Sequence, residues 1–211
     1  MTRSTAAAPP DLRPDLALLC DWIRPGSRIL DLGCGDGALL SYLAEHRQVS
    51  GYGLEVDEDK VARCIKAGAN VIQADLDDGL RDFDSGSFDY VVMNLALQAL
   101  QRPDDAVTEI LRVGRVGIVT FPNFGHWRVR AALAAGRMPV TPSLPDRWYD
   151  SPNIHLCTVD DFEDLCRQRG WRIIARRLLD RSHREGARIR LAPNLFCEIA
   201  LYMLQSPEPS A

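Results

Sequence analysis

The residues with the most chemical promise stand in one string, Asp31-Leu32-Gly33-Cys34-Gly35-Asp36-Gly37. Glycines at alternate positions let a chain turn tightly and let a ligand approach the backbone. The pattern D-x-G-x-G-x-G is not the G-x-G-x-x-G of a dinucleotide pyrophosphate site, and no Gly-Lys-Ser/Thr ending makes it a P-loop. A carboxylate two residues before the first glycine sits poorly beside a pyrophosphate. It suits a ligand carrying an ammonium or sulfonium charge. Glu55, in Gly53-Leu54-Glu55, can accept hydrogen bonds from both hydroxyls of a ribose. Asp75, followed by Leu76, can accept from an exocyclic amine such as that of adenine. Plainer readings stand beside these: a tight strand-to-helix turn for the loop, and a turn-forming aspartate for Asp75, which Asp77 and Asp78 follow.

The elements around these residues give them a common location. Leu12, Leu16, Leu19 and Ile23 recur at helical spacing behind Asp11, a possible cap, and Pro25-Gly26 stops the helix. Strands are expected over 28–32, 49–54, 70–74, 88–95 and 115–121, with helices over 38–45, 57–67 and 103–113 between them. Such alternation specifies parallel βαβ units with right-handed crossovers. Asp31, Glu55 and Asp75 then close three successive strands, on the carboxyl edge where open α/β sheets bind ligands. Past Phe121 the rhythm breaks. A long insertion runs over 122–157, with a short helix expected around 127–135. Thr158 and Asp161 match a capping box for a helix to about Arg169. Two strands, 171–179 and 194–204, are expected to close the sheet as an antiparallel pair. The chain reads as one domain over 11–204 between disordered tails at 1–10 and 205–211.

The three carboxylates at three strand ends resemble the class I S-adenosylmethionine-dependent methyltransferases. That resemblance implies an α/β, Rossmann-like fold: a seven-stranded, mostly parallel sheet with an antiparallel last strand and helices on both faces. It also implies S-adenosylmethionine as cofactor, with Asp31, Gly33, Gly35 and Gly37 at its methionine moiety, Glu55 at the ribose, Asp75 and Leu76 at the adenine, and Asn94 beside the methyl group. Asn94 has a second reading as a turn cap. The strings Phe121-Pro122-Asn123-Phe124-Gly125-His126-Trp127-Arg128-Val129-Arg130, Arg137-Met138-Pro139-Val140-Thr141 and Trp148-Tyr149-Asp150-Ser151-Pro152-Asn153-Ile154-His155 narrow it further. With the glycine loop they resemble the MetW family of methionine-biosynthesis proteins. This implies work in a complex with a homoserine O-acyltransferase, and it leaves a methyl acceptor unassigned. The competing reading is an active methyltransferase on a small acid or acyl substrate.

Within the insertion, Phe124, Trp127, Trp148 and Tyr149 supply apolar surface, and Arg128 and Arg130 place charge beside it. Aromatics mixed with arginine are typical of binding hot spots; the alternative is that the tryptophans close the core beneath a lid. His126 and His155, and with them Asp150, are the candidates for acid–base chemistry. Backbone bonding that fixes the loop is the alternative for the histidines. Their spacing fits no metal-ligand motif, and no metal is expected. Residues 1–110 carry 19 acidic against 10 basic side chains, and 111–211 carry 10 against 15. The seven arginines between Trp171 and Arg190 suggest a phosphate-contacting patch or, more simply, a solvated face or protein interface. The net charge of −4 argues against nucleic acid as partner. No signal peptide or membrane-length apolar run is present, and six sparse cysteines without a CxxC pair read as reduced thiols. These features suggest a cytoplasmic protein.

Overall fold

Leu12, Leu16, Leu19 and Ile23 all turn inward, as their spacing predicts, around helix α1 (Pro14–Cys20). The computed structural model describes residues 12–207. The Asp11 cap and the tail over 1–10 lie outside the described residues, as do 208–211 of the second tail. Strand β1 (Arg28–Leu32) leads through the glycine loop into α2 (Ala38–Arg47). Then follow β2 (Ser50–Glu55), α3 (Glu58–Lys66), β3 (Val71–Gln73), β4 (Phe88–Asn94), α4 (Pro103–Val113) and β5 (Gly114–Pro122). The helix starts obey local chemistry. The Asp57 carboxylate caps α3 by accepting the Lys60 N–H at 3.1 Å, and Pro103 opens α4, where a missing N–H costs nothing.

The second half contains α5 (Trp127–Ala134), α6 (Val159–Arg169), β6 (Arg172–Leu179), α7 (Ala187–Leu191), α8 (Pro193–Phe196) and β7 (Ile199–Gln205). The capping box at Thr158 and Asp161 forms in both directions, and Gly170 ends α6 in the left-handed conformation. One expectation fails. The segment from Asn194 was read as strand, yet 187–191 and 193–196 are helical, and β7 starts at Ile199. Pro193 is pre-set for the first turn of a helix, and the Asn194 side chain donates to Asp160 at the start of α6. A long-range contact therefore decides the local conformation.

The seven strands lie in the order β3-β2-β1-β4-β5-β7-β6. β1 to β5 pair in parallel, and β7 runs antiparallel to both β5 and β6. This is the seven-stranded sheet with an antiparallel last strand that the resemblance implied. Alternate residues of the central strands serve two cores. Leu30, Leu32, Val91 and Met93 face α4 and α6, packing with Val107, Ile110 and Phe162. Ile29, Tyr90 and Val92 face the other way, toward Leu16 and Leu19 of α1 and Leu39 and Leu43 of α2. Both faces are covered, so the free crevice is at the strands' carboxyl ends. The strand order reverses between β1 and β4, the switch point at which such sheets hold ligands.

Candidate functional site

Gly33, Gly35 and Gly37 all have positive φ, at 71°, 62° and 77°. A side chain at any of them would be strained, so this loop needs glycine. The loop is anchored on both sides. The Gly33 and Cys34 N–H groups donate to the Leu54 carbonyl at 2.8 and 3.0 Å. The Cys64 thiol donates to the Gly35 carbonyl at 3.2 Å and lies 3.7 Å from the Cys34 sulfur. Burial pushes both thiols up, so they stay protonated and fill space. Gly53, which sequence reasoning passed over, makes room: a Cβ there would lie 2.3 Å from the Cys34 sulfur. The G-Y-G alternation in β2 was the available clue.

Asp31 is only 3% exposed, and among the described residues nothing hydrogen-bonds its side chain. Burial, with Glu55 nearby, pushes its carboxyl up to about 7. Glu55 is also buried, but well satisfied. It accepts the Gly35 N–H at 2.9 Å and the Val56 and Asp57 N–H groups at 3.1 Å each, and Lys60 Nζ stands 3.9 Å away. Glu55 therefore ties the end of β2 to the glycine loop. Asp31 and Glu55 come together as their strand positions require.

The adenine-side residues are arranged more loosely. Asp75 is exposed and accepts the Asp77 N–H at 2.9 Å, capping a short 3-10 turn over Leu76–Asp78. The turn-forming reading thus describes its present bonding. Leu76 lines a cavity of about 380 Å³ with Leu32 and Met93. Asn94 has both ends engaged: its amide donates to Asp15 at 3.1 Å, and its oxygen accepts from Thr120 Oγ1 at 2.6 Å. It latches α1 to the ends of β4 and β5.

The insertion divides into a fixed root and an exposed crown. Asn123 is the root. Its amide donates to the Asn194 and Cys197 carbonyls at 2.9 and 2.8 Å, and its oxygen accepts the Gly125 and Val159 N–H groups at 2.9 and 3.2 Å. Arg130 donates to the Gly125 carbonyl at 2.6 Å, and the Phe124 N–H donates to the Cys157 carbonyl at 3.0 Å. The His155 ring Nε2 lies 3.1 Å from the Gln101 carbonyl, and the His155 backbone N–H donates to the Gln98 carbonyl at 3.0 Å. His155 therefore takes the loop-fixing role. The crown carries Trp148, 74% exposed, and Tyr149 packed edge-on against it, with Met138, Val140 and Ile154 also exposed. Trp148 does not close the core. Trp127 is half-exposed beneath Arg128, whose guanidinium lies 5.3 Å from the ring centre.

His126 differs from Asp150 and His155, which are exposed. It is buried, and its Nδ1 has no hydrogen-bond partner. Burial holds its imidazole below the ordinary value, against the opposing pull of Glu198. Glu198, just before β7, was missed by sequence reasoning. It is 4% exposed and lines two neighbouring cavities of about 440 and 310 Å³. The larger sits at the ends of β4 and β7 beside Asp15 and Leu95, and the smaller beside His126 and α7. Among the described residues no three His, Cys, Asp or Glu side chains are grouped as metal ligands. None of their helices is long and apolar enough to cross a membrane. On the β6 edge, Arg176 pairs with Glu163 at 2.5 Å, and Arg177 with Asp21 at 3.1 Å and Glu185 at 3.6 Å. Those charges belong to internal ion pairs.

Comparison with known proteins agrees with this architecture. The chain is similar to the bifunctional methionine biosynthesis protein MetXA/MetW of Rhodopirellula baltica, 35% identical over 179 residues. That match covers 79% of this chain and 29% of the relative. It is also 34% identical over 97 residues to a fatty-acid O-methyltransferase of Mycolicibacterium smegmatis, covering 44% of this chain and 35% of that one. The chain thus spans about a third of the length of these curated relatives. Among solved structures it resembles an S-adenosylmethionine-dependent methyltransferase from Mesorhizobium loti, with a TM-score of 0.65 and 23% identity over 92% of this chain and 98% of that one. It also resembles Haemonchus contortus phosphoethanolamine N-methyltransferase 2 bound to S-adenosyl-L-methionine, with a TM-score of 0.67 and 14% identity over 92% of this chain and 52% of that one. At such identities these two likenesses speak for the fold. The profile of the family described as methionine biosynthesis protein MetW matches residues 13–204, and with the seven-stranded methyltransferase-like sheet this shows that the chain belongs to the MetW family.

Proposed function

We propose that the chain binds S-adenosylmethionine at the carboxyl ends of β1 to β3 and supports a homoserine O-acyltransferase in methionine biosynthesis. The buried, unpartnered Asp31 carries the cofactor half of this reading. A carboxyl withdrawn from most of its water favours its neutral form unless a cation is brought to it. A ligand with a sulfonium and an ammonium group provides that cation, and the positive-φ glycines leave the backbone open to it. Glu55 would share its carboxylate between the loop and a ribose, and Leu76 offers an apolar wall for a base. When bound, the cofactor would supply an activated methyl group. Asp31, Glu55 and the loop would hold it.

The partner half draws on the family resemblance and on the bifunctional relative, whose name joins MetXA to MetW in one chain. The exposed crown of Trp148, Tyr149, Met138 and Val140 is a surface of the kind that mixed aromatic interfaces use. The test is to assay the acyltransferase with and without this protein, then titrate S-adenosylmethionine. A changed rate that responds to the ligand supports the reading. No change in either condition defeats it.

A second reading, methyl transfer to a small acid or acyl substrate, is favoured by the 440 Å³ cavity. Arg181 and His183 line it, with Arg13 paired to Asp15 and with Asp146 and Glu198 also in the wall, and the Mycolicibacterium smegmatis relative is a fatty-acid O-methyltransferase. Of the candidates for acid–base chemistry, His126 lines the adjoining 310 Å³ cavity, and Asp150 and His155 are exposed. Production of S-adenosylhomocysteine only with an added acid would establish it.

A further inference from the structure

The carboxyl edge has a second station that neither the cofactor site nor the docking crown uses. A cavity of about 310 Å³ opens between the start of α5 and the connection from β6 to α7. Arg128, Arg181 and Arg188 line it, and none of the three forms an ion pair with a described residue. Arg128 lies only over the Trp127 ring. Arg176 and Arg177 on β6 contrast with them, since both are paired with carboxylates. Three guanidiniums without a carboxylate partner thus share the lining of one cavity.

Two carboxylates oppose the three guanidiniums. Asp180 is occupied, accepting the Ser182 and Arg184 N–H groups at 2.8 and 3.0 Å. Glu198, on the floor, accepts from Ser143 Oγ at 3.4 Å. The balance still favours an anion. His126 supplies an independent observation. It lines the same cavity, is 6% exposed, and its Nδ1 is sealed from solvent without a partner. No described residue bonds its Nε2 either. Burial favours the neutral imidazole, which keeps one N–H to donate. The sealed Nδ1 is out of a ligand's reach, and the unbonded Nε2 is the ring nitrogen whose N–H a ligand oxygen in the cavity would accept.

We infer that this cavity binds a small organic anion, a carboxylate or phosphate group gripped by Arg128, Arg181 and Arg188, with Trp127 as an apolar wall and His126 as a neutral donor. Guanidinium forks suit both groups, because each offers paired oxygens in a plane or a tetrahedral face. Arg181 and Glu198 also line the neighbouring 440 Å³ cavity. A bound anion therefore touches the wall of the chamber at the ends of β4 and β7.

Calorimetric titration of the full chain with inorganic phosphate, and separately with malonate, tests this without S-adenosylmethionine present. Failure here thus leaves the cofactor reading intact, and the reverse also holds. Saturable binding of at least one probe is expected, and the tighter probe identifies the group. The double variant Arg128→Gln/Arg188→Gln should weaken it at least tenfold, and Arg181→Gln, on a different segment, should weaken it several-fold. Arg63→Gln, on exposed α3, should change it less than twofold. Thermal melts confirm that the variants are folded. No binding of either probe, or equal weakening by Arg63→Gln, overturns the inference.

Discussion

The two ends of the sheet's carboxyl edge are built on different principles. At β1 to β3 the site is backbone geometry: glycines in left-handed conformations, carboxylates at strand ends, and a loop clamped by Leu54, Glu55 and Cys64. At β5, β7 and β6 the edge is made by a long insertion that has little regular structure after α5. There, one buried asparagine holds the root, and large side chains are left facing solvent. The first end is a glycine loop clamped by the strand and helix that follow it, and our reading assigns it a small cofactor. The second is assembled from more distant segments and exposes apolar surface, which our reading assigns to a partner.

The sharpest way to break this contrast is at Asp31. Its folded value of about 7 lies above the ordinary aspartate value of about 3.9. The folded state therefore binds the extra proton between these limits, and stability falls as pH rises from about 4 through 7. The loss amounts to on the order of 4 kcal/mol by pH 8, at about 1.4 kcal/mol per unit. Denaturant unfolding of the wild type at pH 4 and pH 8, against Asp31→Asn, should show this slope in the wild type only. S-adenosylmethionine should restore stability at pH 8. Equal slopes in the two proteins would remove the argument for a cation at this position.

The next effect is at the other end. Asn123→Ala leaves one buried and one part-buried carbonyl and two buried N–H groups unpaired, and should cost about 3 kcal/mol. Unfolding measurements check it, and a loss below about 1 kcal/mol would mean that the insertion is not anchored there. Gly37→Ala should cost about 1–2 kcal/mol, because φ is +77° and the new Cβ would meet Cys64 and Ala69 at 3.0 Å. It should also weaken S-adenosylmethionine binding, measured by calorimetry. Smallest in stability is Trp148→Ala, within about 0.5 kcal/mol as for most surface changes. Its expected effect is loss of support for the acyltransferase, measured in the coupled assay. Stability loss without functional loss would invert the contrast.

What could be read beforehand follows the same division. The strand ends at Asp31, Glu55 and Asp75, the capping box at Thr158 and the stop at Gly170 were all legible. Each depends on residues within a few positions of one another. The bonds of Asn94 to Asp15 and Thr120, and the role of Glu198 between two cavities, were not legible. Those partners lie 79 and 26 residues away from Asn94 in the chain, and no local pattern encodes such distances. Asn194 was misread as strand for the same reason: its partner Asp160 is 34 residues distant.

The amino-acid sequence alone determined the alternation of strands and helices, the glycine loop, and hence the fold and the edge on which a ligand belongs. Periodicity and turn chemistry act over one or two turns of chain, so they can be read in order. Only the tertiary structure decided that Asp31 is left without a partner, that His155 fastens a loop while His126 faces a cavity, and that Trp148 points outward. Burial and charge compensation depend on every segment that packs around a residue, and those segments meet only when the sheet is complete.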